Sequence, residues 1–185
     1  MTGWTQIKAA GISLVLSAVL ASPLILILSQ QLVDSPMNLF SDSVALIAYT
    51  AWLVAVLFMS RWPLLDMVLR KVAPKSSFAL HKDLGPVSLL LALLHYSLSF
   101  SMHESIVYTG IGGGIVVFIA LLAMVSLKAG TMRSWLHRLA VVGILLIWFH
   151  VHMITRLSAI TPFITLFDAY TCIAILIYLW YRFIK

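Results

Sequence analysis

Residues 80–96 read LHKDLGPVSLLLALLHY, and residues 135–153 read WLHRLAVVGILLIWFHVHM. Each is an apolar segment with one histidine near its start and another deep inside. His81 and His95 lie 14 residues apart, and His137 and His150 lie 13 apart. As helices rising about 1.5 Å per residue, both segments separate their two histidines by roughly 20 Å.

The rest of the chain has the composition of a membrane bundle built around these segments. Of its 185 residues, 62% are hydrophobic and 10% charged, with a mean hydropathy of +1.07. A soluble domain of that size cannot cover so much apolar surface with so few charges. Apolar runs near 20 residues recur, each long enough for a hydrocarbon core of about 30 Å. The net charge of +6 is not a nucleic-acid footprint, because most of the cations sit between apolar runs, where they orient the protein in lipid. The lone Cys172 rules out an intrachain disulfide and any four-thiolate zinc or iron–sulfur site.

Taken in order, the runs predict an all-α polytopic bundle of six transmembrane helices in a single domain, at about 9–29, 43–60, 79–101, 108–127, 136–155 and 164–183. The first run follows Lys8 and has small residues near Ala21, the outline of a cleaved signal peptide. Its continuation through Leu24 to Leu28 makes it a span. Residues 30–42 form a polar connection with Asp34 and Asp42. Residues 61–78 mix Arg61, Arg70, Lys71 and Lys75 with Leu64, Leu65, Met67 and Leu69, which reads as an amphipathic connector on the membrane surface. That connector is a lipid contact or a partner-docking surface. Six spans put both termini on one side, and eleven of the twelve Lys and Arg fall on that set of ends, Arg156 being the exception. The positive-inside rule makes that side the cytoplasm, so the third and fifth spans run in parallel from inside to outside. The expected location is a bacterial inner (plasma) membrane.

Parallel spans place the histidines at two levels, His81 with His137 inside and His95 with His150 outside. An imidazole in lipid is costly unless bonded, so such residues are functional suspects. Two facing imidazoles without carboxylate or thiolate suit axial ligation of haem iron, with the flat macrocycle gripped by apolar side chains. Zinc or iron transport calls for acidic partners, and carboxylates are few here: Asp83 at the inner edge and Asp168 near the outer edge of the last span. Rotation supports the first pair, since 14 residues return to within about 40° of the starting direction. The second pair is left open: His150 lies about 140° from His137 and His152 about 60°, so by periodicity His152 rivals His150.

RWPLL from Arg61, followed by HKDLG and LLH up to His95, and W-x-HRL with FH between Trp135 and His150, resemble the ferric reductase-like transmembrane domain shared by ferric reductases and NADPH oxidases. The resemblance covers nearly the whole chain, and the paired 14 and 13 spacings are its specific part. It implies two b-type haems stacked across the membrane, with His81 and His137 on the inner iron and His95 and His150 on the outer one. Arg138 and Lys82, each next to an inner histidine, would then pair with haem propionates or snorkel to anionic lipid. His103 and His152 lie toward the outer face, at an acceptor or among lipid headgroups. Gly110, Gly112, Gly113 and Gly114 permit close helix packing or approach of a flat cofactor. Trp148 and Phe149 pack in the core or against lipid, or line the space between haems.

The resemblance further implies an oxidoreductase that carries electrons from a cytoplasmic flavin and NAD(P)H donor to an outer acceptor, dioxygen or ferric iron. The chain carries no dinucleotide-binding fingerprint. The expected FAD or FMN therefore belongs to a dehydrogenase domain outside this chain or to a separate reductase partner. The alternatives are a haem subunit serving a periplasmic reductase, as in the related membrane subunit of the methionine-sulfoxide reductase system, which lacks a counterpart of His81, and a non-haem structural or transport bundle.

Overall fold

The computed structural model describes residues 3–31, 36–59, 67, 77–99, 104–128 and 130–183. No strand occurs among the described residues. The elements are α1 Gly3–Gln31, α2 Pro36–Met59, α3 Ser77–Leu98, α4 Glu104–Ser126, α5 Thr131–Met153, the single turn α6 Thr155–Ser158, and α7 Thr161–Phe183. The amphipathic connector expected at 61–78 lies outside the described residues except for Met67, Ser77 and Phe78, and His103 lies outside them too.

Five helices are long and apolar enough to cross a bilayer, over Leu14–Gln31, Pro36–Phe58, Ile106–Met124, Ser134–Met153 and Thr161–Tyr181. The chain is thus an all-helical protein with the makings of a membrane bundle. α3 has 22 residues but falls outside that set; its first turns carry His81, Lys82 and Asp83.

α1, α3, α5 and α7 pack on α2: 72% of its span is buried, against 22% or less for the other four spans. Lipid tails are as apolar as leucine, so helices in a membrane associate through close packing and hydrogen bonds instead of hydrophobic expulsion. α2 supplies both. Ala48, Ala51 and Ala55 are buried on it, and Thr50 Oγ1 donates to the Ser17 carbonyl of α1 at 3.0 Å. The Tyr49 hydroxyl meets Thr171 Oγ1 of α7 at 2.8 Å, and its ring stacks on Phe167 at 4.8 Å. Phe163 and Phe167 of α7 close against Leu24 and Leu28 of α1, all fully buried.

Two boundaries differ from the apolar runs. α2 begins at Pro36 instead of Ser43, since proline suits a first helical turn; Asp42 is thereby carried inside the helix. The fifth run breaks at Ile154, whose backbone is extended (φ −83°, ψ 95°), and Arg156 falls on the separate turn α6.

α4 and α5 form the second tight pair, antiparallel and nearly touching through glycines. A Cβ on Gly143 would stand 2.5 Å from Val117 Cγ2 and 3.2 Å from the Gly113 carbonyl, whereas one on Gly112 would meet nothing within 4 Å. Overpacking of this kind typically costs about 1–3 kcal/mol, while Gly→Ala in an open helical position gains up to about 1 kcal/mol. Gly143→Ala is therefore expected to lower the thermal midpoint in detergent and Gly112→Ala to hold or raise it; equal midpoints would contradict this packing.

Candidate functional site

α3 packs on α2 and α1, and α5 packs on α4. Among the described residues, α3 and α5 are not a pair that packs backbone to backbone. Histidines reach across the interval between them. At the end of the bundle marked by Lys82, the rings of His81 and His137 stand 5.5 Å apart, nearly perpendicular at 81°. The Nδ1–H of His81 donates to the Ala55 carbonyl of α2 at 2.9 Å. That bond fixes the tautomer and leaves Nε2 with its lone pair. Ala55 is the residue that permits it, because a small side chain lets the ring reach the carbonyl of a neighbouring helix.

At the opposite end, marked by Arg156, the same arrangement recurs on both partners. The Nδ1–H of His95 donates to the Ser41 carbonyl at 3.0 Å, with Ser41 Oγ also 3.0 Å away and bonded in turn to Ser99 Oγ. The Nδ1–H of His150 donates to the Ile106 carbonyl at 2.9 Å, with Thr109 Oγ1 at 3.2 Å. His95 and His150 lie within electrostatic reach of each other. The 13-residue spacing does turn His150 away from the direction of His137, toward α4. Gly110 makes room there: a Cβ would stand 2.9 Å from His150 Cε1 and 3.1 Å from its Nδ1.

His152 is engaged differently. Its Nδ1 bonds the Trp148 carbonyl at 2.9 Å, its Nε2 lies 3.3 Å from Asp168 Oδ1, and its ring packs on the Trp148 indole at 4.4 Å. Trp148 Nε1 donates to the same carboxylate oxygen at 2.7 Å. Both ring nitrogens of His152 are thus committed within the protein. Trp148 turns to α7, and Phe149 is exposed on the outside of α5, so neither is held between the histidine levels as a pair. Arg138 sits 5.7 Å over the Trp135 ring, and Lys82 is exposed.

One part of the site was not read as such from the sequence. Asp42, assigned to a polar connection, is buried in α2 and forms a two-pronged ion pair with Arg156, at 2.6 Å (Nη1 to Oδ2) and 2.9 Å (Nη2 to Oδ1). It directly follows Ser41, whose carbonyl holds His95. The signal available was Pro36 as a helix start together with the isolation of Arg156 among the chain's cations.

These residues fit bis-imidazole ligation of a metal. Ligating histidines characteristically tie the other ring N–H to a carbonyl, as His81, His95 and His150 do. Metal–nitrogen bonds of about 2 Å on each side separate two ring centroids by about 6 Å, close to the His81–His137 distance. Among the described residues no three His, Cys, Asp or Glu side chains gather as a metal-ligand group; the histidines come in twos. The Trp52 indole N–H, buried and without an acceptor, lies within about 20° of the Ser41 direction on α2.

Asp42 is nearly sealed, its side chain 4% exposed, while Arg156 is 36% exposed. Removing the cation strands a buried carboxylate, a loss of about 3 kcal/mol, whereas removing the carboxylate leaves an arginine that can turn to water. Arg156→Ala is expected to lower the thermal midpoint in detergent more than Asp42→Asn does; the reverse order would contradict the burial of Asp42.

No family model matches the chain, and neither a curated protein nor a solved structure matches it.

Proposed function

We propose that the chain is a bis-histidine dihaem b membrane protein of the ferric reductase-like type, moving single electrons from a cytoplasmic flavin and NAD(P)H donor to an acceptor on the outer face. In this reading α3 is a sixth span, both termini are cytoplasmic, and the membrane is the bacterial plasma membrane. The observation that carries it is the tethering of His81, His95 and His150. Each ring gives its Nδ1–H to a backbone carbonyl of a neighbouring helix, which directs Nε2 elsewhere as a ligand. Pairing with His137 at 5.5 Å and the separation of α3 from α5 support the same reading.

His81 and His137 would hold the inner haem, and His95 and His150 the outer one. A bound haem supplies the one-electron chemistry. The chain's own part is to bind, orient and keep water out. The carbonyl bonds fix ring orientation and strengthen the histidines as donors. Gly110 lets the His150 ring lie against α4. The commitment of His152 to Trp148 and Asp168 supports His150 over His152 as the fourth ligand. Arg138 and Lys82 stand at the inner level, where they would meet propionates or lipid phosphates. Dioxygen, giving superoxide, and ferric iron both fit the outer acceptor. The protein is then the membrane part of an oxidoreductase whose flavin domain or partner reductase works from the cytoplasmic side.

The purified protein is expected to show a b-type reduced spectrum with two haems per chain by pyridine haemochrome assay. His81→Ala or His137→Ala should leave one, with the outer centre's signature intact. His150→Ala should remove the outer haem, and His152→Gln should keep both. A folded, colourless protein would end the proposal, and loss of a haem in His152→Gln but not in His150→Ala would reassign the ligand.

A further inference from the structure

Asp42 and Arg156 form a two-pronged ion pair at one end of the bundle. By sequence, Arg156 is the sole Lys or Arg at its end of the bundle, where Asp34, Asp42, Glu104 and Asp168 also lie. Arg156 closes as a two-pronged fork on the one carboxylate that is buried in α2. Two chain features bring this about. Pro36 starts α2 early enough to carry Asp42 inside, and the extended Ile154 ends α5 so that α6 can aim Arg156 inward.

The pair lies near both halves of the outer histidine level. Asp42 is covalently next to Ser41, whose carbonyl and hydroxyl hold the His95 ring at 3.0 Å. Arg156 is six residues beyond His150, on the turn that continues α5. Both charges act electrostatically on His95, and Asp42 acts on His150 as well. The His152–Asp168 pair lies at the same end of the bundle as Arg156–Asp42. Only the carboxylate is deeply buried, Asp42 being 4% and Arg156 36% exposed, and the desolvation of that one ion offsets part of the attraction.

We infer that Asp42 and Arg156 are positioning and tuning residues for the outer centre: their fork ties α2 to the α6 turn that follows the His150 helix, and their opposed charges set the electron affinity of whatever metal His95 and His150 hold. The inference rests on the haem reading proposed above. Its physical content is a sign. A buried negative charge near a redox centre favours the oxidised, more positive form, and a positive charge favours the reduced form; in a low-dielectric interior neither is well screened. The intact pair nearly cancels. Removing one member exposes the centre to the other.

The test is redox titration of the purified haem protein at pH 8. Asp42→Asn, which leaves the cation, should raise the midpoint potential of the outer haem. Arg156→Gln, which leaves the carboxylate, should lower it. The double variant Asp42→Asn/Arg156→Gln should return toward the parent value, and the inner haem should move little in all three. Arg156→Lys keeps the charge but loses the fork. It should hold the potential while altering the low-spin electron paramagnetic resonance signal of the outer centre, which reports ring orientation. It also serves if Arg156→Gln does not fold. Shifts in the same direction for the two single variants, or equal shifts at both haems, would overturn the inference and leave the haem reading standing. A parent protein that folds without haem would overturn both.

Discussion

An imidazole N–H packed between apolar helices has little water to bond, and that constraint organises the molecule. The helical ladder consumes the backbone donors and acceptors of each helix, yet a carbonyl retains a second lone pair. His81, His95 and His150 each use one of these spare lone pairs, on Ala55, Ser41 and Ile106 respectively. In every case the accepting helix is the sequence neighbour of the helix that carries the ring, so the bond also locks a helical hairpin. α3 is pinned to α2 at two points about four turns apart, and α5 is pinned to α4 at one, where Gly110 removes the side chain that would block the ring. The polar demand of the ring and the packing of the hairpin are therefore met by the same contact.

This explains why α2 is so much more buried than its neighbours. It carries two of the three accepting carbonyls, the Asp42 carboxylate, and the tyrosine and threonine that hold α7 and α1. Ser41 and Ala55 share one side of the helix, within about 40°, Asp42 and Tyr49 a second, within about 20°, and Thr50 lies on a third, which leaves little of α2 to face lipid. The histidine-bearing α3 and α5 are left less enclosed, held from behind by α2 and α4. They face one another through side chains rather than through backbone contact, which is the geometry a flat ligand between two helices requires.

The sequence disclosed the helical class and the two histidine levels because both depend on composition and on rise per residue, which survive without knowledge of neighbours. The level pairing of His81 with His137 needed only parallel helices. What it could not disclose were properties of the opposing helix. The arithmetic left His150 and His152 tied because it describes rotation about one axis and is blind to what stands opposite. The difference lies in α7, where Asp168 meets His152, and in α4, where Ile106 and Gly110 receive His150. Asp42 was missed for a related reason. A charge next to a turn reads as solvated, and only the later placement of Arg156, 114 residues away, makes its burial tolerable.

The two ends of the bundle consequently differ in kind. At the Lys82 end the histidines are accompanied by a backbone acceptor and by cations at the edge, Arg138 resting on Trp135 and Lys82 exposed. At the Arg156 end the histidines are accompanied by hydroxyls, a buried ion pair and the Trp148–His152–Asp168 cluster. The charges beside them differ as well, Lys82, Asp83 and Arg138 at the first end and Asp42, Arg156 and Asp168 at the second, and those at the exposed edge are the more readily screened by salt and lipid headgroups. Two otherwise equivalent bis-imidazole sites in these settings would not be equivalent in energy, and the difference arises from side chains that touch no ligand.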